Sequence, residues 1–157
     1  MTQTAEARPR KALLVCSPGG HLFQMLCLES AWSDLDTTWV TLEAADTDQL
    51  LEDAKVVLGR GPTNRSLRAL LANFALAWRL IRRERPDAIL STGAALAFPF
   101  FLVGKLFGAR LVYVESLTRT DRLSLTGRLI YPLADAFFVQ WPEADRRKRT
   151  RYAGNLL

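Results

Sequence analysis

The sequence predicts an α/β fold, in which a parallel sheet carries helices on both faces. Short apolar runs suited to strands alternate along the chain with longer segments of helical periodicity. This repeated order is typical of parallel strands joined by crossover helices. The chain has 157 residues, 49% of them hydrophobic. That is enough for one core, so we expect a single domain over residues 11–157 after a flexible tail of residues 1–10.

Six apolar runs have the length and composition of strands. The first leads directly into a Ser-Pro-Gly-Gly turn, and the third is the shortest. The predicted strands cover residues 11–16, 37–42, 56–58, 87–90, 110–114 and 136–140.

Four segments between these strands have helical periodicity. The longest is ended by Pro86, because proline cannot continue a helix. Pro99 is interpreted as a first-turn residue, where no backbone N–H is needed, and Gly108 closes the same helix. The predicted helices cover residues 21–31, 64–85, 99–107 and 123–133.

The composition excludes several classes of protein. The longest apolar stretch, residues 94–103, contains Pro99 and is shorter than the roughly 20 residues of a spanning helix, so no transmembrane segment is expected. Residues 1–10 are polar, unlike a signal peptide. Cys16 and Cys27 form neither a disulfide framework nor a metal-ligand spacing, so we expect buried free thiols and no metal ion or cofactor.

The positive charge of the chain points to an anionic partner. The formal net charge is +5, which suits nucleic acid, an acidic membrane surface or a phosphorylated substrate. The basic run over residues 146–151 has three interpretations: a solvated face, a second lipid contact or a nucleic-acid patch. Nucleic acid is not expected, because the chain carries no recognisable binding module.

Polar loops follow three of the predicted strands, over residues 17–21, 91–93 and 115–116. Ligands bind beyond the carboxyl ends of strands in an open parallel sheet, so these loops are expected to converge on one edge. Two glycines precede a helix in the first loop, and their N–H groups can approach an anion. We therefore predict a diphosphate cradle formed by Ser17, Gly19, Gly20, Thr92 and Gly93.

This glycine loop is a weak motif when taken alone. It lacks the third glycine of a dinucleotide fingerprint, and no Gly-Lys-Ser/Thr follows as in a P-loop. The alternative is a tight turn that needs glycine only for its geometry.

Two residues at the predicted edge are candidate catalytic bases. His21 is the only histidine of the chain and stands at the start of the first helix. A neutral imidazole there is suited to take a proton from a sugar hydroxyl, although the same side chain can simply cap the helix or bond a loop carbonyl. Glu115 is the competing base or an orienting carboxylate, and its alternative is a surface ion pair with Arg119 or Arg122.

The longest predicted helix is apolar over most of its circumference and is bracketed by arginines. Such a surface is suited to a headgroup layer of anionic lipid. The alternative is a helix buried between the sheet and a partner, with its arginines reaching outward. The predicted membrane contacts are Leu67, Leu71, Phe74, Trp78, Arg68, Arg79 and Arg82, with Ile81 continuing the apolar stripe.

Several segments resemble a known family in order and spacing: SPGGH, STGA before an apolar helix, YVESLTRTDRLSLTGRLIYPLAD and FFVQWPE. The sequence is similar to the membrane-anchor subunit of the two-component N-acetylglucosaminyltransferase of dolichol-linked oligosaccharide assembly. It looks still more like the bacterial counterparts, the enhancer subunits of exopolysaccharide and capsule glycosyltransferases. The likeness runs from residue 11 to about residue 154, and residues 113–141 are its most specific part.

The resemblance implies a Rossmann-like domain equivalent to the amino-terminal, acceptor-binding half of a GT-B glycosyltransferase. A partner subunit would supply the half that binds a UDP-sugar. The acceptor would be a polyprenyl-diphosphate-linked sugar, and Gly19, Gly20 and His21 match the glycine-rich loop that such halves place near its diphosphate. In the related peptidoglycan N-acetylglucosaminyltransferase, a comparable apolar and basic helix meets the membrane.

The sequence departs from the eukaryotic members of this family, which carry an amino-terminal membrane helix. We therefore expect attachment to the cytoplasmic face of the membrane that is peripheral or through a partner. Two other functions remain open: a non-catalytic scaffold that recruits its partner to the membrane, and a self-contained nucleotide-binding enzyme.

Overall fold

The computed structural model describes residues 10–63, 66–144 and 148–156. Within them, seven parallel strands form one sheet in the order β3-β2-β1-β4-β5-β6-β7. The strands are β1 (Lys11–Val15), β2 (Asp36–Thr41), β3 (Val56–Leu58), β4 (Ala88–Ser91), β5 (Arg110–Val114), β6 (Ala136–Val139) and β7 (Thr150–Tyr152). The strand order reverses at β1, which opens a crevice beyond the carboxyl ends of β1 and β4. Residues 1–9 of the expected tail lie outside the described residues.

Five α-helices and one 3₁₀ turn connect the described strands. Two predicted helices are shorter than expected: the one over residues 21–31 breaks after Leu26, and the one over 123–133 stops before Pro132, which restricts the residue ahead of it. The helices are α1 (Gly20–Leu26), α2 (Ala45–Leu50), α3 (Leu67–Glu84), α4 (Ala97–Leu106) and α5 (Leu125–Ile130), and the 3₁₀ turn is Glu29–Ala31.

The ends of α3 follow from local chemistry. The Ser66 hydroxyl accepts a hydrogen bond from the Ala69 N–H at the amino end. Arg85 ends the helix in the left-handed conformation at φ 50°, directly before Pro86, as the proline predicted. Residues 64 and 65, which the prediction included in the helix, lie outside the described residues.

Hydrophobic clusters on both faces confirm the predicted two-sided sheet. Alternate residues of β1 point to opposite sides, as the period of a strand requires. Leu13 belongs to the larger cluster, with residues of α3, α4 and α5. Leu14 belongs to the smaller one, with residues of α1 and with Leu51 just after α2.

The two cysteines differ in exposure. Burial raises the pKa of the Cys16 thiol to about 12, with the Asp46 carboxylate adding to the effect, so this thiol stays protonated. Cys27 is exposed, and the expectation that both thiols are buried is wrong for it. The helix ends at this residue, so its side chain does not reach the core.

Two short elements were not predicted from the sequence, α2 and β7. Strand β7 pairs in parallel with β6 and includes the end of the basic run. Beside it, the Arg149 guanidinium donates to the Ala134 carbonyl and lies over the Tyr131 ring. The end of the run is therefore part of the sheet, and its described basic residues Lys148, Arg149 and Arg151 are exposed. Residues 146 and 147 lie outside the described residues.

Candidate functional site

A cavity of about 800 Å³ opens at the carboxyl edge of the sheet. It brings together both candidate bases, His21 from the start of α1 and Glu115 from the end of β5, so two of the predicted strand-end loops converge here. The lining residues are His21, Thr63, Ala94, Ala95, Tyr113, Glu115, Ser116, Thr118, Arg119, Ser124, Leu125 and Thr126.

The orientation of His21 is set by Thr92 in the loop after β4. His21 Nδ1 lies 2.7 Å from the Thr92 carbonyl oxygen, and the Thr92 hydroxyl donates to the His21 carbonyl at 2.6 Å. A carbonyl oxygen can only accept, so Nδ1 carries the proton of this bond. The other ring nitrogen, Nε2, has no hydrogen-bond partner among the described residues. In the neutral ring, Nε2 therefore holds a lone pair available to a ligand.

Gly93 supports the same imidazole by close contact. A Cβ atom at this position would lie 2.6 Å from His21 Cε1 and 2.8 Å from Nδ1. The backbone of Gly93 also has φ 124°, which side chains disfavour. Only glycine lets the loop after β4 approach the ring this closely.

The Glu115 carboxylate is 1% exposed and its oxygens are occupied. It accepts hydrogen bonds from the backbone N–H groups of Ser116 and Ser124 and from the Ser124 hydroxyl, at 2.9 to 3.0 Å. The Ser124 hydroxyl in turn accepts from the Gly127 N–H at the start of α5. In the described part of the chain, no ion pair joins Glu115 to Arg119 or Arg122, so the surface ion-pair alternative is wrong.

Glu115 therefore organises the loop between β5 and α5. The carboxylate also lies against Gly127, where a side chain would collide with Oε2. This arrangement matches the orienting role better than a base role, since the Glu115 carboxylate has few lone pairs left to accept a proton from a ligand.

The predicted diphosphate cradle is divided in space. Thr92 and Gly93 adjoin His21, whereas Ser17, Gly19 and Gly20 are not among the cavity-lining residues. The Gly19 N–H donates to Oδ2 of Asp46, a residue in the first turn of α2, at 2.6 Å. The loop does present an N–H group to an anionic oxygen, but a carboxylate of the chain already holds it.

Buried amides tie the loop after β5 to α1 and β6. Gln24 accepts from the Leu117 N–H and from the Gln140 side chain, and Gln140 also donates to the Glu115 carbonyl. The Leu156 N–H donates to Gln140 Oε1, which anchors the carboxyl-terminal segment to the same network. These glutamines were not predicted, because the sequence around an isolated polar residue in an apolar run does not indicate which distant residue it bonds.

Tyr113 is a further lining residue that the sequence did not single out. Its side chain is fully buried in β5, with the Glu115 carboxylate and the Ser124 hydroxyl as polar neighbours. Burial, reinforced by the nearby Glu115 charge, raises the pKa of Tyr113 far above its ordinary value, so the phenol stays neutral.

The outer face of α3 is apolar and basic. Leu67, Leu71 and Trp78 are 68%, 60% and 47% exposed. Phe74 is half-buried against Phe98, and Ile81 is fully buried. The stripe predicted from spacing thus divides into an exposed row and a core-facing row, because α3 packs on α4. Arg68, Arg79 and Arg82 are exposed. Among the described helices, none is long and apolar enough to cross a bilayer.

Residues 60–156 match the model of the family described as "Oligosaccharide biosynthesis protein Alg14 like". The chain belongs to the Alg14 family. This confirms the family predicted from the motifs; the closer likeness to bacterial enhancer subunits stays a prediction.

Curated Alg14 relatives align over nearly the whole chain. The protein of Eremothecium gossypii is 31% identical over 184 residues, spanning 95% of this chain and 81% of the relative. The human protein is 26% identical over 190 residues, spanning 99% and 88%. Both relatives are named UDP-N-acetylglucosamine transferase subunit ALG14.

Solved structures confirm the predicted fold. MurG of Acinetobacter baumannii superposes with a TM-score of 0.74 at 20% identity, and a glycosyltransferase of Rickettsia africae with 0.67 at 10%. The superpositions cover 92% and 94% of this chain but only 46% and 43% of those proteins. The Alg14-family chain thus spans about half the length of these larger enzymes, as predicted for one half of a GT-B fold.

Proposed function

We propose that the chain is the acceptor-binding, membrane-associating subunit of a two-component glycosyltransferase in polysaccharide biosynthesis. A separate catalytic subunit binds the UDP-sugar, and this chain holds a polyprenyl-diphosphate-linked sugar. Either subunit alone is expected to be inactive or weak. The chain sits peripherally on the cytoplasmic face of the membrane.

One observation carries this proposal: the cavity at the β1/β4 crevice holds an oriented histidine whose Nε2 is bonded by none of the described residues. Parallel α/β sheets bind their ligands at such a crevice. The curated relatives are each named as a transferase subunit, which supports both the transferase assignment and a second subunit.

His21 is the proposed general base. The acceptor hydroxyl attacks the anomeric carbon of the UDP-sugar, a new glycosidic C–O bond forms, and the bond to UDP breaks. His21 Nε2 takes the hydroxyl proton, while UDP leaves with the bonding electron pair into the partner subunit. The Thr92 carbonyl stabilises the resulting imidazolium through Nδ1–H. Glu115 positions the cavity wall through Ser124.

The acceptor diphosphate is proposed to lie between Arg119 on the cavity rim and the loop of Ser17, Gly19 and Gly20. Arg119 supplies a positive charge, and the glycine loop supplies N–H donors. Because Asp46 occupies the Gly19 N–H, the diphosphate must displace that carboxylate to use this donor. Thr92 and Gly93 contribute through the backbone that places His21.

The outer face of α3 is the proposed membrane contact. α3 begins at the carboxyl edge of the sheet, where Thr63 lines the cavity, and exposed Leu67 and Leu71 lie on its first turns. An exposed leucine of α5, Leu125, lines the cavity itself. A polyprenyl tail leaving the cavity would therefore meet apolar side chains before it reaches the bilayer.

The test is reconstitution of sugar transfer. UDP-sugars and a polyprenyl-diphosphate-linked acceptor are incubated with this chain, with a genomically neighbouring donor-binding glycosyltransferase subunit, and with both. Transfer only in the mixture, or a large gain there, is expected. Robust transfer by this chain alone would contradict the division of labour.

Substitutions in the cavity then separate catalysis from scaffolding. His21→Ala in the mixture is expected to lower kcat about 100-fold or more, the ordinary contribution of a general base. A non-catalytic scaffold would instead keep full kcat in His21→Ala and lose activity only when membrane binding is lost. Full activity in the combined His21→Ala and Glu115→Gln variant would exclude both the base role of His21 and the competing base role of Glu115.

A further inference from the structure

A turn over residues 116–119 brings Arg119 to the wall of the cavity. The Arg119 N–H donates to the Ser116 carbonyl at 2.9 Å and closes the turn, and the Ser116 and Thr118 hydroxyls bond to each other at 3.1 Å. Among the described residues, no carboxylate forms an ion pair with the Arg119 guanidinium. The region of the cavity that this cation can reach therefore depends on how the turn is held.

Side chains from two other elements hold both backbone groups of Leu117, the second residue of this turn. The Leu117 N–H donates to Oε1 of Gln24 in α1 at 3.0 Å. The Leu117 carbonyl accepts from the indole N–H of Trp141, which follows β6, at 2.7 Å. These two bonds anchor the turn to α1 and to the end of β6.

The orientation of the Gln24 amide is set by its neighbour Gln140. A backbone N–H can only donate, so Gln140 must turn its Oε1 towards the Leu156 N–H, which lies 3.0 Å away. Both N–H groups of Gln140 Nε2 are then used, by Gln24 Oε1 at 2.6 Å and by the Glu115 carbonyl at 3.0 Å. The oxygen of Gln24 is therefore the end of its amide that faces Leu117.

The two glutamines are buried, with exposed fractions of 6% for Gln24 and 2% for Gln140. Burying amides costs free energy that apolar side chains would avoid, whereas a bonded amide network fixes the backbone it contacts in one geometry. Neither glutamine lines the cavity. Resting on the function proposed above, we infer that Gln24 is a positioning residue, which holds the turn of residues 116–119 so that Arg119 binds the acceptor diphosphate.

His21 is held separately from this turn. Two hydrogen bonds with Thr92, in the loop after β4, fix its ring and its carbonyl. The bond from Gln24 Nε2 to the Gly20 carbonyl stays within one turn of α1. Loss of the Gln24 amide should therefore displace Arg119 more than His21, and should weaken acceptor binding more than the chemical step.

Binding of N-acetylglucosaminyl geranyl diphosphate to the full-length chain, measured by isothermal titration, tests the inference. Gln24→Met keeps the size of the side chain and removes its amide. We expect affinity to fall about fivefold in Gln24→Met and about tenfold or more in Arg119→Ala, which loses a bond to a charged group. In the Arg119→Ala background, Gln24→Met should change affinity less than about twofold, because its effect passes through Arg119.

Unchanged affinity in Gln24→Met, or an equal loss in both backgrounds, overturns the inference. A merely structural amide would lower the thermal midpoint of the chain and leave the affinity of the folded protein unchanged.

Trp141→Phe keeps the inference testable if the first variant folds poorly. It removes the indole N–H that holds the Leu117 carbonyl. Affinity should fall about threefold, and this loss should disappear in the Arg119→Ala background. An unchanged affinity in Trp141→Phe would contradict the anchoring of the turn.

Trp32→Phe is the matched control. The Trp32 indole N–H also donates to a backbone carbonyl, that of Met25 at 3.0 Å, but this tryptophan does not line the cavity and does not touch the turn. Its substitution should leave probe affinity unchanged. A loss as large as in Trp141→Phe would overturn the inference, because general loosening of the fold would then explain both.

Initial rates of transfer with the donor-binding subunit separate binding from chemistry. Gln24→Met should raise the KM for the acceptor about fivefold and keep kcat within about twofold. A lower kcat at unchanged KM would mean that the amide acts on His21, which overturns the inference. Probe binding that depends on Gln24 without any transfer would refute only the proposed function, whereas no binding of the probe to the wild-type chain would overturn both.

Discussion

At the scale of single residues, the site depends on contacts that tolerate little change. His21 is held by one carbonyl and by a glycine packed against its ring. Glu115 is held by two N–H groups and a hydroxyl. Such close support holds both side chains within fractions of an ångström, which is the condition that the proposed proton transfer to His21 requires.

Gly93→Ala should abolish most of the activity of the reconstituted enzyme. Its Cβ would lie 2.6 Å from His21 Cε1, so the ring must move and the bond to Thr92 must break. We expect kcat to fall at least tenfold, to be measured by initial rates of sugar transfer.

Gly108→Ala is the matched control, because Gly108 also has a positive φ, 77°, but an added Cβ would meet nothing within 4 Å. It should cost about 1 kcal/mol of folding free energy from backbone strain and leave kcat unchanged. Equal losses of kcat in both variants would show that strain, and not displacement of His21, is responsible.

Asp46→Asn should tighten binding of the diphosphate acceptor. The amide oxygen can still accept from the Gly19 N–H, so only the negative charge beside the proposed diphosphate is removed. Relief of this repulsion at a partly exposed site amounts to about 1 kcal/mol, or roughly a fivefold lower KM for the acceptor.

Asp48→Asn in the same helix makes the same change of charge at an exposed position and should leave KM unchanged. An unchanged KM in Asp46→Asn would place the diphosphate away from the glycine loop.

At the scale of elements, α3 has one face that packs on the protein and one face that is exposed. Ala69, Asn73, Ala77, Leu80 and Ile81 face the protein. Leu67, Leu71 and Trp78 remain exposed, although Trp78 also packs edge-on against Phe107 with centroids 5.2 Å apart. Large apolar side chains left exposed beside arginines are characteristic of an interaction surface rather than of a solvated helix.

Leu71→Gln and Trp78→Gln should each weaken binding to anionic vesicles. Each removes partly inserted apolar area worth about 1 kcal/mol, so the partition coefficient should fall about fivefold, as measured by vesicle sedimentation. Added salt should weaken wild-type binding, because it screens the arginines.

Leu50→Gln supplies the control, since Leu50 is 49% exposed in α2 on the other side of the sheet. Vesicle binding that is unaffected by either α3 substitution would mean that a protein partner covers this face instead.

At the scale of the whole molecule, the carboxyl and amino ends of the parallel strands carry different groups. The cavity lies at the carboxyl edge, whereas ion pairs gather at the opposite edge. There Glu84, at the end of α3, pairs with Lys11 and Lys55 at the starts of β1 and β3, and with neighbouring Arg83. Stability can therefore be altered at one edge without changing the chemistry at the other.

Glu84→Gln should lower stability at neutral pH and flatten its acid dependence. Burial alone would raise the pKa of Glu84, but hydrogen bonds from Lys55 and Arg83 outweigh it and lower the pKa. A carboxyl with a lowered pKa in the folded state stabilises the fold above its ordinary value of 4.5, and this contribution is lost as pH falls below it.

Because the paired cations are largely exposed, the expected loss at neutral pH is about 0.5–1 kcal/mol, measured by urea denaturation, and acceptor binding should be unchanged. An identical loss at neutral pH and at roughly pH 3 would rule out the carboxylate charge as its source.

The sequence by itself determined the fold class, six of the strands and the position of His21 at the start of the first helix, beyond the carboxyl end of β1. These are local properties. Apolar runs, helical periodicity and helix-ending residues such as Pro86 can each be recognised from a few neighbouring residues. The same local patterns overextended α1 and α5, since helix ends depend on what the following residues contact. The motifs of residues 113–141 also carried the family assignment that the comparisons confirm.

Only the tertiary structure decided which groups meet and which are already occupied. The bond from Gly19 to Asp46 spans 27 residues, and that from His21 to Thr92 spans 71. The burial of the Tyr113 phenol beside Glu115 depends on residues that no local pattern brings together. Likewise, β7 is only three residues long, and it forms a strand because its backbone pairs in parallel with β6. Contacts between distant residues depend on packing, which no local pattern encodes.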